Sequence, residues 1–308
     1  MFDYSLYESC YLCPHQCGVN RLSNETGVCG TTFRQHIASV CIHKGEEPVV
    51  SGKNGICNVF FSHCNLHCIY CQNYQISQQT NPIEQVLTTE EVVHQIITIL
   101  NQGIHSVGFV SPTHVAIQVI DIIEQLWEKG YKPVIVWNSN GYECVETLKI
   151  ITPYIDVFLP DFKYGLDDVA LALSGIKNYS SIAMAAIKEM YYQKGNALHI
   201  NDADELEQGL IVRHLVLPNH VENSLKALEL LADEISPRIS VSLMAQYYPP
   251  EQINLPETLR RKLYADEYQT VVDRMNALGF MKGWIQEFES SNVYRPDFSQ
   301  THPFEKAK

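Results

Sequence analysis

The chain has no apolar run approaching the roughly 18 residues a membrane helix needs, so nothing in it reads as a membrane span. Its opening residues, MFDYSLYESC, are acidic and lack a basic segment followed by an apolar stretch, which argues against a signal peptide. Without export the thiols should stay reduced, so the expected location is the cytoplasm, and clustered cysteines read as metal ligands rather than disulfides. Positive charge is scarce. Against 35 Asp and Glu stand 22 Lys and Arg, and the net charge of -13 argues against DNA or RNA as a partner. Solubility is the plain reading of that charge. There is no internal repeat and no low-complexity tract. What is present is 308 residues, 45% hydrophobic, enough for one large α/β domain with small additions.

Three of the 10 cysteines, Cys64, Cys68 and Cys71, share one short stretch with the spacing C-x-x-x-C-x-x-C. Three thiolates can hold three corners of a four-iron, four-sulfur cluster and leave the fourth iron open to a small molecule. Structural zinc sites close with four ligands, so a zinc reading would have to recruit His67 or His63. A second set, Cys10, Cys13, Cys17 and Cys29, offers four thiolates. Four close a tetrahedral zinc site or fully ligate an auxiliary iron–sulfur cluster. Metal binding would also explain how fifty residues with little apolar periodicity stay folded. Cys41, Cys57 and Cys144 read as isolated structural thiols.

From about residue 55, short apolar segments rich in β-branched and aromatic residues alternate with helical stretches. Strands are predicted at 57–61, 106–110, 133–137, 156–160, 210–217 and 239–244. A first helix is predicted to open on a capping box of Thr88 and Glu91 and to carry Val92, Val93, Ile96, Ile97 and Leu100 at helical spacing, and others near 115–128, 143–151, 180–194, 223–234 and 265–278. Repeated β–α alternation implies a parallel sheet with helices outside. Six units suit an incomplete (β/α)6 barrel better than a closed eight-stranded one. The stretch 165–209 is too long for a plain connection and should carry extra helices. The expected organisation is a cysteine-rich metal-binding module over 1–50, a partial barrel over 51–246, and a C-terminal helix with an extended tail over 247–308.

In parallel barrels the site lies at the C-terminal ends of the strands. Strand one is followed by the cysteine loop. The others are followed by Ser111-Pro112-Thr113-His114, Asn138-Ser139-Asn140-Gly141, Asp161-Phe162-Lys163, Pro218-Asn219-His220 and Gln246-Tyr247-Tyr248. Arg213 sits within an otherwise apolar strand, a costly place for a charge unless it serves a site or an internal ion pair.

The cysteine loop, with Tyr70 before Cys71, resembles the signature of the radical S-adenosylmethionine (SAM) superfamily. CYLCPHQCGVNR, GVCG, VFFSHCNLHCIYCQNYQIS, FVSPTH, WNSNGYE, FLPDFKY, VRHLVLPNH and SLMAQYYP extend the resemblance over nearly the whole chain, to the pyruvate formate-lyase activating enzyme-like family. The resemblance implies a partial barrel holding a [4Fe-4S] cluster on Cys64, Cys68 and Cys71, with SAM chelating the open iron. One electron from a low-potential donor of flavodoxin or ferredoxin type would cleave SAM to a 5′-deoxyadenosyl radical that abstracts hydrogen from a substrate. Tyr70 would lie along the adenine, or be an ordinary packed aromatic. Ser111 to His114 occupies the place where many members carry Gly-Gly-Glu for the SAM amino group, so Ser111 and Thr113 would serve with different chemistry. Asn138 and Asn140 would reach the ribose, although Asn-Gly is equally a turn signal. Lys163 and Arg213 would take the SAM carboxylate, with Asp161 orienting Lys163. His114 reads as an acid/base group or a satisfied polar residue.

Three functions fit. One is an activase that makes a glycyl radical in a protein partner, although no ferredoxin-like insert follows Cys71. Another is a radical SAM enzyme acting on a small molecule or peptide. The last is a non-catalytic zinc or iron–sulfur module.

Overall fold

The computed structural model describes residues 3–77, 81–250, 255–292 and 295–304. Each predicted strand is found. They are β2 (Ile56–Phe61), β4 (Ser106–Val110), β5 (Val134–Ser139), β6 (Val157–Pro160), β8 (Leu206–Leu215) and β9 (Ser240–Met244). They pair in parallel in that order. All residues of β2, β4, β6 and β9 are buried, as expected of parallel strands covered on both faces.

Four strands were not foreseen from the apolar pattern. β1 (Gln35–His43) pairs antiparallel with β2, and β3 (Gln85–Leu87) pairs antiparallel with β1. β10 (Gly283–Ile285) adds in parallel to β9. The short β7 (His199–Ile200) pairs with β8. The path runs from β10 to β3 without closing. The fold is therefore a mixed α/β sheet curved into an unclosed barrel. The stretch up to residue 50 contributes β1 to this sheet, and the C-terminal stretch contributes β10.

Helices cover the outside. Two short ones, α1 (Pro48–Ser51) and α2 (Tyr74–Ser77), flank β2. α3 (Thr89–Leu100) opens on the capping box, with the Thr88 side chain accepting from the Glu91 N–H and the Glu91 carboxylate accepting from the Thr88 N–H. It packs Val92, Val93 and Ile96 inward. α4 (Ala116–Glu128), α5 (Val145–Ile151), α8 (Val221–Glu234) and α9 (Ala265–Ala277) follow their strands. The long stretch 165–209 carries α6 (Asp167–Ser174) and α7 (Tyr179–Lys194), as predicted. Among the described residues no helix is long and apolar enough to cross a membrane.

Candidate active site

The loop after β2 carries the three cysteines across the C-terminal ends of the strands. Its shape is fixed by side-chain amides. Asn65 donates to the Tyr142 carbonyl at 2.9 Å and accepts from Asn140 at 2.8 Å. The Leu66 N–H points at Cys64 Sγ, 3.3 Å away, and Asn140 Nδ2 lies 3.5 Å from the same sulfur. Ser174 Oγ donates to Cys68 Sγ at 3.1 Å. Hydrogen bonds to sulfur of this kind tune a cluster's potential.

All three thiols line one cavity of about 570 Å³. Burial pushes the Cys64 thiol up to about 12, and burial followed by the charge of Cys68 raises Cys71. Thiols so placed ionise when a cation supplies the missing charge. Among the described residues, the one group of three ligating atoms mutually within 4.8 Å lies elsewhere, so neither these three sulfurs nor any three of the N-terminal four are drawn together as a single bound ion would draw them. A zinc ion with bonds of about 2.3 Å would draw them closer. Neither candidate fourth zinc ligand joins them. His67 Nε2 lies 3.1 Å from the Cys64 carbonyl, and His63 turns to Glu84. Three separated thiols on an open cavity, Cys64 and Cys68 buried and Cys71 half-buried, fit an iron–sulfur cluster with a free corner.

Tyr70 is buried on the cavity wall, edge-on to Tyr164 and Tyr247 with ring centroids 6.4 and 6.3 Å away. Ser111 lines the cavity in a left-handed conformation, φ 51°. Thr113 does not reach it. Its hydroxyl donates to the buried Glu143 carboxylate at 3.0 Å, which also accepts from Trp137 and Ser139. His114 is buried, its Nε2 lies 3.1 Å from the Ser62 carbonyl while its Nδ1 has no hydrogen-bond partner, and burial takes it down to about 3. Asn138 and Asn140 both line the cavity. Asn140 also makes the turn its Asn-Gly pair announces, accepting from the Tyr142 N–H. Gly141 follows at φ 78°, where a Cβ would stand 2.4 Å from the Asp161 carbonyl, so a side chain is excluded.

A charged network crosses the cavity floor. Lys163 Nζ meets Asp161 at 2.6 Å, and Arg213 Nε meets the other oxygen of Asp161 at 2.9 Å. Arg213 Nη1 pairs with Glu46 at 2.9 Å, and Glu46 also accepts from Asn138 and Asn58. Burial works to raise the Asp161 carboxyl, and Lys163 and Arg213 outweigh it and hold it low. The internal ion pair that competes with a site role for Arg213 thus exists, and the guanidinium still lines the cavity. Glu46 and Glu47 were missed. They stand before Pro48 in a stretch without apolar periodicity, and no spacing marks them. Glu47 is buried on the cavity wall with Oε2 unpartnered, and burial raises its carboxyl. The only cue to Asn65 was its place inside the cysteine loop.

The N-terminal cysteines gather on the other side of that loop. Electrostatic coupling of Cys13 to Cys29, Cys10 and Cys17 places the four in one neighbourhood, and burial pushes Cys13 up to about 12. None of the four lines the cavity. Cys17 Sγ accepts from the Val28 N–H at 3.4 Å, and Cys29 Sγ lies 3.2 Å from Thr31 Oγ1. His15 Nε2 reaches the Asn65 carbonyl at 2.7 Å, which ties this segment to the cluster loop.

An unclosed parallel barrel with three thiols over its mouth defines a class, and residues 58–245 match the Radical SAM superfamily. The chain belongs to that superfamily, whose members use a [4Fe-4S] cluster and SAM. It is 30% identical over 278 residues to the uncharacterized protein MJ0674 of Methanocaldococcus jannaschii, covering 87% of this chain and 75% of that one. The fold is similar to the FeFe-hydrogenase maturase HydG from Carboxydothermus hydrogenoformans, with TM-score 0.53 and 11% identity over 74% of this chain and 52% of that one. It is also similar to Streptococcus suis SuiB bound to S-adenosylmethionine, with TM-score 0.50 and 13% identity over 73% of this chain and 48% of that one. The chain spans about half the length of these two solved proteins.

Proposed function

We propose that this chain is a SAM-cleaving enzyme of the pyruvate formate-lyase activating enzyme-like kind, with Cys64, Cys68 and Cys71 as its cluster ligands. The observation that carries the reading is the placement of three separated thiols on the wall of one cavity at the strand ends. When bound, the cluster and SAM supply one-electron cleavage of a C–S bond and a radical able to abstract hydrogen. The chain's own residues do the rest. Asn140 and Leu66 orient Cys64, and Ser174 orients Cys68. Tyr70 offers a flat apolar wall for an adenine, and Ser111 and Asn138 offer polar groups beside it. Lys163, held by Asp161, presents an ammonium for a carboxylate. A low-potential flavodoxin- or ferredoxin-type protein would supply the electron. The N-terminal set would hold zinc or an auxiliary cluster.

The name of the family it resembles suggests a glycyl-radical protein as substrate, although the Gly-Gly-Glu stretch is replaced here and no ferredoxin-like insert follows Cys71. A second reading, a small molecule or peptide side chain, draws on the cavity itself. His43 Nδ1 and Glu47 Oε2 are buried on its wall without partners, as if awaiting a polar ligand.

The test is anaerobic iron and sulfide analysis with a 5′-deoxyadenosine assay, on wild type beside a Cys64/Cys68/Cys71→Ala variant. Loss of one cluster together with SAM cleavage is expected. Wild type that holds only zinc and leaves SAM intact would overturn the reading. A glycyl-radical signal in a partner protein would select the activase, and turnover of a metabolite without it would select the second reading. Lys163→Ala should weaken SAM binding by about 1.5–3 kcal/mol, the loss of a charge-assisted hydrogen bond. Unchanged affinity would remove Lys163 from the site.

A further inference from the structure

Three side chains outside the cavity converge without a role in the chemistry above. His36 begins near the start of β1, His63 lies between β2 and Cys64, and Glu84 precedes β3. Their ligating atoms all fall within 4.8 Å of one another, the one such group among the described residues. His36 Nδ1 stands 3.1 Å and His63 Nε2 3.2 Å from the same carboxylate oxygen, Glu84 Oε2. The two rings meet nearly at right angles, 86°, with centroids 5.6 Å apart. We propose that His36, His63 and Glu84 form a site for one divalent transition-metal ion, separate from both cysteine sets.

Donor atoms about 3 Å apart are what bonds of about 2.0–2.2 Å at tetrahedral or octahedral angles produce. Two imidazoles and one carboxylate form the ligand set of zinc and of non-haem iron, and they leave positions for water. The surroundings are built for it. His36 Nε2 is 3.0 Å from Thr32 Oγ1, which fixes the ring with Nδ1 turned toward Glu84. His63 adopts φ 68°, an uncommon backbone for histidine, and so swings its ring back toward β1 rather than into the cysteine cavity. Its Nδ1 is buried without a partner against Gly30, where φ is 80° and a Cβ would stand 2.9 Å away. The side chain of Glu84 is 25% exposed, which leaves the ion a path from solvent. Gly30 follows Cys29, and His63 precedes Cys64. An ion here would therefore brace the N-terminal segment against the cluster loop.

The plain alternative is a carboxylate accepting one hydrogen bond from each of two neutral imidazoles. The test uses the full-length protein, its clusters reconstituted anaerobically, then titrated with Co2+. Wild type should bind one more cobalt than Glu84→Gln or His36→Gln, with iron and sulfide unchanged. The lost component should lack thiolate-to-cobalt charge-transfer absorption, which separates it from the N-terminal cysteines. Equal uptake in wild type and variants would overturn the site, and so would thiolate absorption in the lost component. Should a variant fail to hold its clusters, wild type alone decides. A stoichiometric cobalt without thiolate bands upholds the site, and its absence ends the proposal.

Discussion

The two cysteine sets differ less in their thiols than in what surrounds them. Cys64, Cys68 and Cys71 face a cavity of about 570 Å³ whose floor carries Lys163, Asp161, Arg213 and Glu46. The N-terminal four face none of it and are wrapped by their own loop and by Arg21. A metal centre that lacks a ligand and opens onto space can bind a reactant, whereas one closed by four thiolates has no position for a reactant and could brace the chain or, as a cluster, pass an electron. The comparison teaches that cysteine count separates a reactive centre from a structural one only once the neighbouring volume is known.

The sharpest test of that contrast pairs two substitutions. Cys68→Ala should abolish 5′-deoxyadenosine formation, since a cluster iron loses its thiolate, and should leave the N-terminal metal in place. Cys13→Ala should do the reverse, lowering metal content and thermal stability while the SAM-cleaving cluster survives. If Cys13→Ala removed both centres, or Cys68→Ala left SAM cleavage untouched, the division of labour would be wrong.

A smaller effect probes the joint between the regions. Arg21 is almost wholly buried and stacks on Tyr7, 4.0 Å from the ring centre. Its Nη1 donates to the His114 carbonyl at 2.6 Å, and its Nη2 donates to Thr31 Oγ1 at 2.7 Å. Arg21→Leu leaves those acceptors buried and unbonded, at a cost of about 3 kcal/mol. The denaturant midpoint should fall accordingly, with the SAM-cleaving cluster still assembled. A midpoint equal to wild type would mean that the two regions are not coupled through this residue.

Much of this arrangement was legible in the sequence. The six parallel strands and their helices announce themselves because strands buried on both faces need apolar runs, and helices on a sheet need a 3.6-residue period. The cysteine spacing survives any fold. β1 was not legible, because the residues it buries, Gln35, Ile37, Cys41 and His43, alternate along the strand but are half of them polar, so no apolar alternation shows in the sequence. β10 spans three residues, too few to show a period. At the site, Lys163 and Asp161 were readable from position after a strand. Thr113 was misplaced because its loop enters a 3-10 turn (Pro112–Val115) that carries the hydroxyl inward to Glu143. Glu46 was invisible because only the tertiary fold brings it to Arg213, far along the chain.

The smallest expected effect tests whether acid harms the protein through its metals or through a region with neither cysteine set. Glu267 in the first turn of α9 accepts from Arg261 with both oxygens, at 2.7 and 2.8 Å, and from the N–H groups of Tyr264 and Asn219. The Arg261 hydrogen bonds, with those backbone groups, hold its carboxyl down at about 2. A carboxylate depressed by folding stabilises fully above its ordinary value of about 4.3, and that stability disappears as pH falls toward 2. The pair is partly exposed, so solvent screening leaves about 1 kcal/mol or less. Glu267→Gln should flatten the stability of metal-stripped protein between pH 4.5 and 2 by that amount, with little change in the acid release of iron and zinc. A profile that stays as steep as wild type would assign the acid loss elsewhere. A variant that also shifted metal release would show that α9 is coupled to the cysteine regions.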